Sequence, residues 1–177
     1  MRTVKTILVS IVALAAVGLF ESALAQTKSV GFWNGQLTLS LPTKAGKPKK
    51  ISSSLYLIRP TSKKDKVVLY ATREAISSDE KSLTNAQLAS ALKTLLEGQG
   101  YTVASLSAKG NTFSAKLTGY ASMPWRKVGA TAIRGAAQFV RTANGQLVGA
   151  LALSDPKEWN RVQTRRYRTA VTKSKVR

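Results

Sequence analysis

The 177-residue chain contains no cysteine and no histidine. Their absence excludes a disulfide framework, a catalytic arrangement of the Cys/His or Ser/His/Asp type, and a metal site built on histidine. Small secreted eukaryotic domains often rely on disulfides. If the chain is exported, their absence therefore favours a bacterial envelope protein whose core is stable without them.

Acidic side chains are also scarce, with 8 of them against 28 lysines and arginines. Most of the acids have a place at predicted helix ends or beside lysines, which leaves Glu74 as the one without a role. A glycosidase needs two positioned carboxylates, and calcium needs several oxygen ligands. We therefore predict that the protein is not an enzyme and binds neither metal nor cofactor.

A hydrolase with Ser/Lys or carboxylate chemistry stays open as an alternative. The S-x-x-K spacing occurs at Ser78/Lys81, Ser90/Lys93 and Ser154/Lys157. None of these pairs is accompanied by an S-D-N or K-T-G motif, so chance explains them better in a chain rich in serine and lysine. Such an enzyme would need a deep pocket that gathers Glu74, or a lysine with a serine.

The first residues have the pattern of a cleaved secretory signal peptide over residues 1–25. Two basic residues precede an apolar run without charge, Ile7 to Phe20, and an A-x-A cleavage site ends at Ala25. The run is shorter than the roughly 20 residues that a spanning helix needs. We therefore expect a periplasmic or secreted bacterial protein that begins at Gln26 and is not an integral membrane protein after cleavage.

The mature chain, residues 26–177, holds 26 basic and 7 acidic residues, a net charge of +19. Such a charge attracts polyanions and speeds association with them. Outside the inner membrane this points to an anionic envelope polymer or lipid, or to an acidic protein. No motif that reads bases is present, so we expect no specific nucleic acid. The alternative is that the charge serves solubility alone.

The helical period is clearest in the middle of the chain. Ser82 or Thr84 can cap a helix, and Gly98 or Gly100 can end it. Its apolar residues recur at the spacing of one helix face and comprise Leu88, Ala91, Leu92, Leu95 and Leu96. The sequence therefore predicts one amphipathic helix that packs on a sheet.

Alternating apolar residues predict strands before and after this helix. They cover residues 32–41, 51–59 and 67–76, then 101–109, 112–121, 130–142 and 146–154. Asn144-Gly145 predicts a two-residue type I′ turn between the last two strands, and Gly110-Asn111 predicts another hairpin. Residues 146–154 are apolar on both faces, which places that strand inside the sheet.

A second helix is predicted to follow Asp155, with that residue as cap and Glu158 completing a capping box. Its apolar side chains should point toward the sheet, namely Trp159, Val162 and Tyr167. The sum is a single α+β domain, residues 26–177, with an antiparallel sheet of about six to seven strands flanked by two amphipathic helices. We expect the residues from about 172 to 177 to form a mobile basic tail.

The order of elements resembles the PsbP-like fold. The resemblance rests on LTLSLP (Leu37–Pro42), LTNAQLASALKTLLEGQGY (Leu83–Tyr101) and FVRTANGQLVGALALSDPKEWNRV (Phe139–Val162). It implies an α/β/α sandwich and a non-enzymatic accessory or scaffolding role. The chain lacks a matching metal cluster and is far more basic than the photosynthetic members, so no functional residue carries across.

Four arginines are the first candidate site. Arg161, Arg165 and Arg168 recur at i, i+4 and i+7, which places them on one helix face, and Arg166 flanks them. Like charges at this spacing repel by a few tenths of a kcal/mol per pair, so keeping them together hints at an anionic partner. The alternative is a solvated helix face.

Two lysine-rich loops and one tryptophan complete the candidate residues. Flexible lysines suit non-specific phosphate contact. Trp125 lies beside cations in an irregular stretch, where it can anchor a partner or close one end of the core. The loop residues are Lys44, Lys47, Lys49 and Lys50, with Lys63, Lys64 and Lys66. We expect a non-enzymatic binding or accessory protein that uses these surfaces, or alternatively a structural or assembly subunit of an exported complex.

Overall fold

A computed structural model describes residues 27–126 and 128–177. The predicted signal peptide lies outside the described residues, as do Gln26 and Lys127. Among the helices that are described, none has the length and apolar character to cross a membrane.

The described residues form ten strands and three α-helices. The first half of the chain contains β1 (Thr27–Phe32), β2 (Leu37–Pro42), β3 (Lys49–Lys50), β4 (Leu55–Ile58), β5 (Val67–Ala75), α1 (Ser78–Lys81) and α2 (Asn85–Gly98). The second half contains β6 (Tyr101–Lys109), β7 (Thr112–Ala121), β8 (Thr131–Arg141), β9 (Gln146–Ser154), α3 (Val162–Thr172) and β10 (Lys175–Val176). A short 3₁₀ turn, Pro156–Glu158, lies between β9 and α3.

Seven strands form one antiparallel sheet in the order β3-β4-β5-β9-β8-β7-β6, and a second sheet has the order β1-β2-β10. This confirms the predicted α+β class with a sheet of six to seven strands. The strand that is apolar on both faces, β9, lies between β5 and β8, and residues 148–154 are all buried. The prediction that it sits inside the sheet is correct because each of its faces meets a separate layer.

The large sheet is covered differently on its two faces, which we call the α2 face and the α3 face. On the α2 face, helix α2 packs on residues such as Val68, Phe113, Leu117, Ile133 and Leu153. The α3 face is covered by helix α3 and by the small sheet together. In the core between these layers, Leu37, Leu39 and Leu41 of the small sheet cluster with Leu69, Val148 and Tyr167. The small sheet was not predicted as a separate layer.

Helix α2 begins and ends where the sequence predicts. Thr84 is its N-cap and forms a capping box with Gln87, and Gly100, at φ 88°, follows its last turn. Leu88, Leu92 and Leu96 are buried, which confirms the predicted stripe along one line of the helix. Leu95 belongs to the same pattern but remains 52% exposed.

The hairpin at Asn144-Gly145 is present, but the predicted turn type is wrong. A type I′ turn needs positive φ at both central residues, whereas only Gly145 has one, at 74°. The amide of Thr142 donates to the carbonyl of Gln146, and that of Gly145 donates to the carbonyl of Thr142. The loop is therefore a turn of three residues that ends in a left-handed glycine, because Asn144 can stay in the ordinary region.

The single strand predicted over residues 32–41 is two strands, β1 and β2. They pair antiparallel from Thr27 opposite Pro42 to Phe32 opposite Leu37. Trp33 and Asn34 have φ of 49° and 57°, and Gly35 follows at 83°. Three successive left-handed residues reverse the chain within one turn.

The segment after β9 also departs from the prediction. Asp155 accepts a hydrogen bond from the amide of Lys157, but it caps the 3₁₀ turn, and α3 begins only at Val162. Val162 is 54% exposed, so the prediction that it points toward the sheet is wrong, whereas Trp159 and Tyr167 are buried as predicted. The basic residues at the end contribute β10, which pairs with β2.

Candidate anion-binding groove

A groove runs along the α3 face where the small sheet does not reach. It lies between α3 and strands β6, β7 and β8, and comprises two neighbouring cavities of about 420 Å³ and 270 Å³. Lys116, Trp159 and Arg168 line both cavities. The other polar lining residues are Ser105, Ser107, Ser114, Thr118, Arg134, Arg165, Thr169 and Thr172.

At the centre of the groove, two arginines stack on one tryptophan. The guanidinium carbon of Arg168 lies 4.2 Å from the ring centre of Trp159, and that of Arg134 lies 5.0 Å from it. Arg134 comes from β8 and Arg168 from α3, while Trp159 follows the 3₁₀ turn and is buried. Cation–π contacts of this kind hold guanidinium groups in place without neutralising them.

The electrostatics of Arg168 show how crowded with positive charge the groove is. Burial lowers the pKa of Arg168, and the neighbouring charges of Arg134 and Arg165 lower it further. Its Nε is buried without a hydrogen-bond partner among the described residues. A guanidinium that is half-buried, faced by like charges and short of one acceptor is stabilised by an anion that supplies the missing oxygen.

No carboxylate lines the groove in the described part of the chain. Arg134, Arg165 and Lys116 are exposed. Lys116 and Arg168 line both cavities, Arg165 lines the larger one and Arg134 the smaller one, so each cavity has three cationic side chains. This arrangement can bind phosphate or carboxylate oxygens by charge-assisted hydrogen bonds.

The register of the sheet brings these residues together. On β7, Lys116 lies between Ala115 and Leu117, which face the other way and are buried under α2. On β8, Arg134 lies opposite Thr118 of β7, and its neighbour Ile133 is buried on the α2 face. Side chains alternate along a strand, so a buried apolar α2 face leaves the intervening positions to the groove.

The structure divides the predicted arginine face. Arg165 and Arg168 line the groove, but Arg161 is the N-cap of α3, and its Nε forms an ion pair with Oε2 of Glu158 at 3.0 Å. Glu158 therefore pairs with Arg161 and does not complete the predicted capping box. Arg166 is half-buried and does not line the groove.

The lysine loops lie apart from the groove. Lys49 and Lys50 form β3, which is one edge strand of the large sheet, while β6 is the other. Charged residues on an edge strand also discourage pairing with other chains. The two loops meet each other, since Thr61 donates from its amide and hydroxyl to the carbonyl of Lys44. Lys66 is 3.8 Å from Asp155. The remaining loop lysines are exposed, namely Lys44, Lys47, Lys63 and Lys64.

Trp125 also lies away from the groove. It is half-buried and packs against the core on the α2 face, and its Nε1 is buried without a hydrogen-bond partner among the described residues. This placement fits the alternative that it closes one end of the core. Its role as an anchor for a partner stays a prediction.

Sequence reasoning missed Lys116 and Arg134 and assigned Trp159 only to packing. Lys116 and Arg134 are far from α3 along the chain, and only strand pairing brings them near it. The alternating pattern of residues 112–121 did place Lys116 on the face opposite Phe113 and Leu117. The missing information was which half of that face the small sheet leaves open.

A separate cavity, of about 680 Å³, lies on the α2 face and bears on the hydrolase alternative. It brings Glu74 near Ser52 and Ser54, and the hydroxyl of Ser54 donates to Oε1 of Glu74 over 3.5 Å. Neither a lysine nor a second carboxylate lines this cavity in the described part of the chain. This cavity therefore lacks both the Ser/Lys pair and the carboxylate pair that the alternative requires. The groove beside α3 does place Lys116 with Ser105, Ser107 and Ser114, so the Ser/Lys form of the alternative stays a prediction.

Comparison with solved structures confirms the PsbP-like fold. The Ran-binding protein Mog1p of Saccharomyces cerevisiae is 12% identical with a TM-score of 0.57, over 85% of this chain and 95% of that chain. The cyanobacterial PsbP (CyanoP) of Synechocystis sp. PCC 6803 is 15% identical with a TM-score of 0.54, over 86% of this chain and 94% of that chain. No protein-family model matches the sequence, and a search of curated proteins gave no significant match.

Proposed function

We propose that this PsbP-like chain is an exported, non-enzymatic binding or accessory protein that holds an anionic partner in the groove beside α3. The partner is an envelope component or an acidic protein that presents phosphate or carboxylate oxygens. The observation that carries the proposal is the stack of Arg134 and Arg168 on Trp159, with Arg165 and Lys116 beside it.

Geometry makes this groove a better candidate than the lysine loops. Arginine presents a planar set of donors that matches two oxygens of one anion, and a stacked guanidinium loses less conformational entropy on binding. The loop lysines are single flexible charges on exposed loops and on the edge strand β3. They can add attraction at a distance, which salt screens within about 8 Å at physiological ionic strength.

The general description as a binding protein is supported by one comparison. Mog1p, which shares the fold, is described as a Ran-binding protein. A likeness at 12% identity carries the fold and not the partner, so the anionic character of the partner rests on the groove alone.

The test compares two variants that lose the same charge. The groove variant is Arg134→Gln/Arg165→Gln/Arg168→Gln, and the loop variant is Lys47→Gln/Lys49→Gln/Lys63→Gln. Binding is measured to phosphatidylglycerol vesicles, to heparin and to polyglutamate, which stand for lipid, polysaccharide and acidic protein. We expect the groove variant to lose at least about tenfold in affinity for the preferred probe, because each charge-assisted hydrogen bond contributes about 1.5–3 kcal/mol.

The loop variant should lose only the shared long-range attraction, about threefold or less at physiological salt. Thermal unfolding of both variants controls for misfolding. Equal losses in the two variants would reduce the proposal to a general effect of charge. Absence of binding to all three probes at low salt would overturn it.

A structural or assembly subunit of an exported complex is the second candidate, and the protein partner in the name of Mog1p favours it. It makes a different prediction: a specific protein should co-purify from the envelope with the wild type and equally with the groove variant. If the groove variant loses that partner, the protein partner itself binds in the groove, and the two candidate functions become one.

A further inference from the structure

We infer that the cavity on the α2 face is a separate binding site for a small apolar ligand that carries a positively charged amine. The cavity lies between the C-terminal half of α2 and strands β4, β5 and β9. Its volume of about 680 Å³ falls within the size of small-molecule sites, about 300–1,000 Å³.

The walls of the cavity are apolar and aromatic. Leu92, Leu95 and Leu96 of α2 form one side, and Leu147 and Leu151 of β9 form the floor. Leu95 is the half-exposed residue of the helix stripe, and its position at the cavity explains why it is not packed against the sheet. An apolar ligand would cover this leucine and complete the pattern that the sequence predicts.

Two phenols, Tyr70 and Tyr101, contribute to the polar part of the cavity, together with Ser52, Ser54, Thr72, Glu74 and Gln99. Burial raises the pKa of Tyr70 and of Tyr101. The two phenols also lie close to each other, so Tyr70 raises the pKa of Tyr101 further. The charge of Arg59 offsets this in part at Tyr70, but Arg59 is exposed and does not line the cavity. Two neutral phenols can accept hydrogen bonds from an ammonium group and offer it their ring faces.

Charge is what makes this cavity unusual in so basic a chain. No lysine or arginine lines it in the described residues, although the chain has 28 of them. Its single charged residue is Glu74, which has no ion pair among the described residues and accepts only long hydrogen bonds, 3.5 Å from Ser54 and 3.4 Å from Thr72. Glu74 is exposed and lines the cavity, where it can form a charge-assisted hydrogen bond with the ammonium group of a ligand.

The experiment compares two probes that share a chain length, n-octylammonium and n-octanol, by isothermal titration calorimetry at pH 7. We expect n-octylammonium to bind about tenfold more tightly than n-octanol, the range of one charge-assisted hydrogen bond. Net positive charge repels the ammonium elsewhere on the molecule, so this preference reports the cavity. The aromatic NMR signals of Tyr70 and Tyr101 should shift on binding.

Variants locate the charge effect. Glu74→Gln should abolish the preference for n-octylammonium and leave n-octanol affinity unchanged. Glu97→Gln is the matched control: it removes the same charge from α2, where Glu97 pairs with Lys93 at 3.9 Å outside the cavity. Leu95→Arg, at a half-exposed position in the cavity wall, should block both probes, with thermal unfolding as the control for folding.

Three results would overturn the inference. They are n-octanol binding as tightly as n-octylammonium, equal effects of Glu74→Gln and Glu97→Gln, or titration without any shift of the two tyrosine signals. None of them depends on the groove beside α3, so this inference and the proposed function can fail separately.

Discussion

The groove and the α2-face cavity carry opposite chemistry and lie on opposite faces of the seven-stranded sheet. On the α3 face, the open half gathers arginine, lysine and a tryptophan, with no acid lining it among the described residues. On the α2 face, the cavity gathers leucine and tyrosine around one glutamate, with no cation lining it in the same part of the chain. The groove lies over β6, β7 and β8, whereas the cavity lies mainly over β4, β5 and β9, so the two surfaces differ in position along the sheet as well as in face.

The difference shows that net charge describes this molecule poorly. A charge of +20 over the chain predicts a uniformly cationic surface, yet the fold lines a groove on one face with four cations and leaves a cavity on the other face without any among the described residues. The small sheet sets the boundary on the α3 face, because it covers β4, β5 and β9 and leaves β6 to β8 open.

The largest effect should come from neighbouring residues of β7 that face opposite ways. Leu117→Ala removes a side chain that is 1% exposed, and we expect the free energy of unfolding to fall by about 2–5 kcal/mol. Lys116→Ala, one residue away on the groove side, should change it by about 0.5 kcal/mol or less. Urea denaturation measures both, and similar losses would show that the faces are not distinct.

The next effect separates geometry from charge within the groove. Trp159→Leu leaves every charge in place but removes the ring on which Arg134 and Arg168 stack. We expect affinity for the preferred anionic probe to fall about tenfold, since the guanidinium groups lose their fixed positions. Unchanged affinity in a variant that unfolds at the wild-type temperature would contradict the role of the stack.

A smaller effect concerns the boundary between core and groove on α3, where Tyr167 is buried and Arg168 faces the groove. The hydroxyl of Tyr167 is buried without a hydrogen-bond partner among the described residues. Burial raises its pKa well above the ordinary 10.0, and the charge of Asp65 adds to this. Tyr167→Phe should therefore keep or raise stability at pH 7, by up to about 1 kcal/mol.

The raised pKa of Tyr167 determines whether folding stability rises or falls at alkaline pH. Above pH 10 the unfolded chain releases the phenol proton while the folded chain keeps it, so stability falls as pH rises. Tyr167→Phe should make that fall shallower in urea denaturation measured from pH 9 to pH 11. An identical slope in both proteins would mean that the phenol ionises freely in the folded state.

The smallest effect on binding should come from Arg161, the arginine that the helix pattern placed with the others. Its charge is already matched by Glu158 at 3.0 Å. We expect Arg161→Gln to change affinity for the anionic probe by less than about twofold, as for other paired and exposed charges. A loss as large as that of Arg168→Gln would restore the predicted three-arginine face.

Strand positions were predictable wherever alternation and turn residues agree. Residues 101–109, 112–121 and 146–154 are strands with the predicted bounds, because alternation and the intervening turns define them. The hairpin of β1 and β2 was missed although Asn34-Gly35 lies within it, since a tryptophan at positive φ precedes that signal. A local pattern does not show which residue absorbs the strain of a turn.

The groove was predictable only in part, for a physical reason. Arg165 and Arg168 follow from helix spacing, which is local. Arg134 and Lys116 join them through the pairing of β7 with β8, and the groove exists because a separate sheet stops short of them. The spacing of residues along the chain predicts neither the pairing of β7 with β8 nor the extent of the small sheet.

The central claim is that anions bind at Trp159 and not over the whole basic surface, and the three tryptophans of the chain can test it. Trp159 lies in the groove, and Trp125 lies against the core of the α2 face. Trp33 lies in the β1–β2 turn, where the guanidinium carbon of Arg73 is 5.2 Å from its ring centre, so it is the more demanding reference of the two. The measurement is a titration of labelled protein with inorganic pyrophosphate, followed by the indole N–H signals in NMR. The account predicts a saturable shift of Trp159 with Trp33 and Trp125 unmoved. A shift of Trp125 or Trp33 with Trp159 unchanged would contradict it.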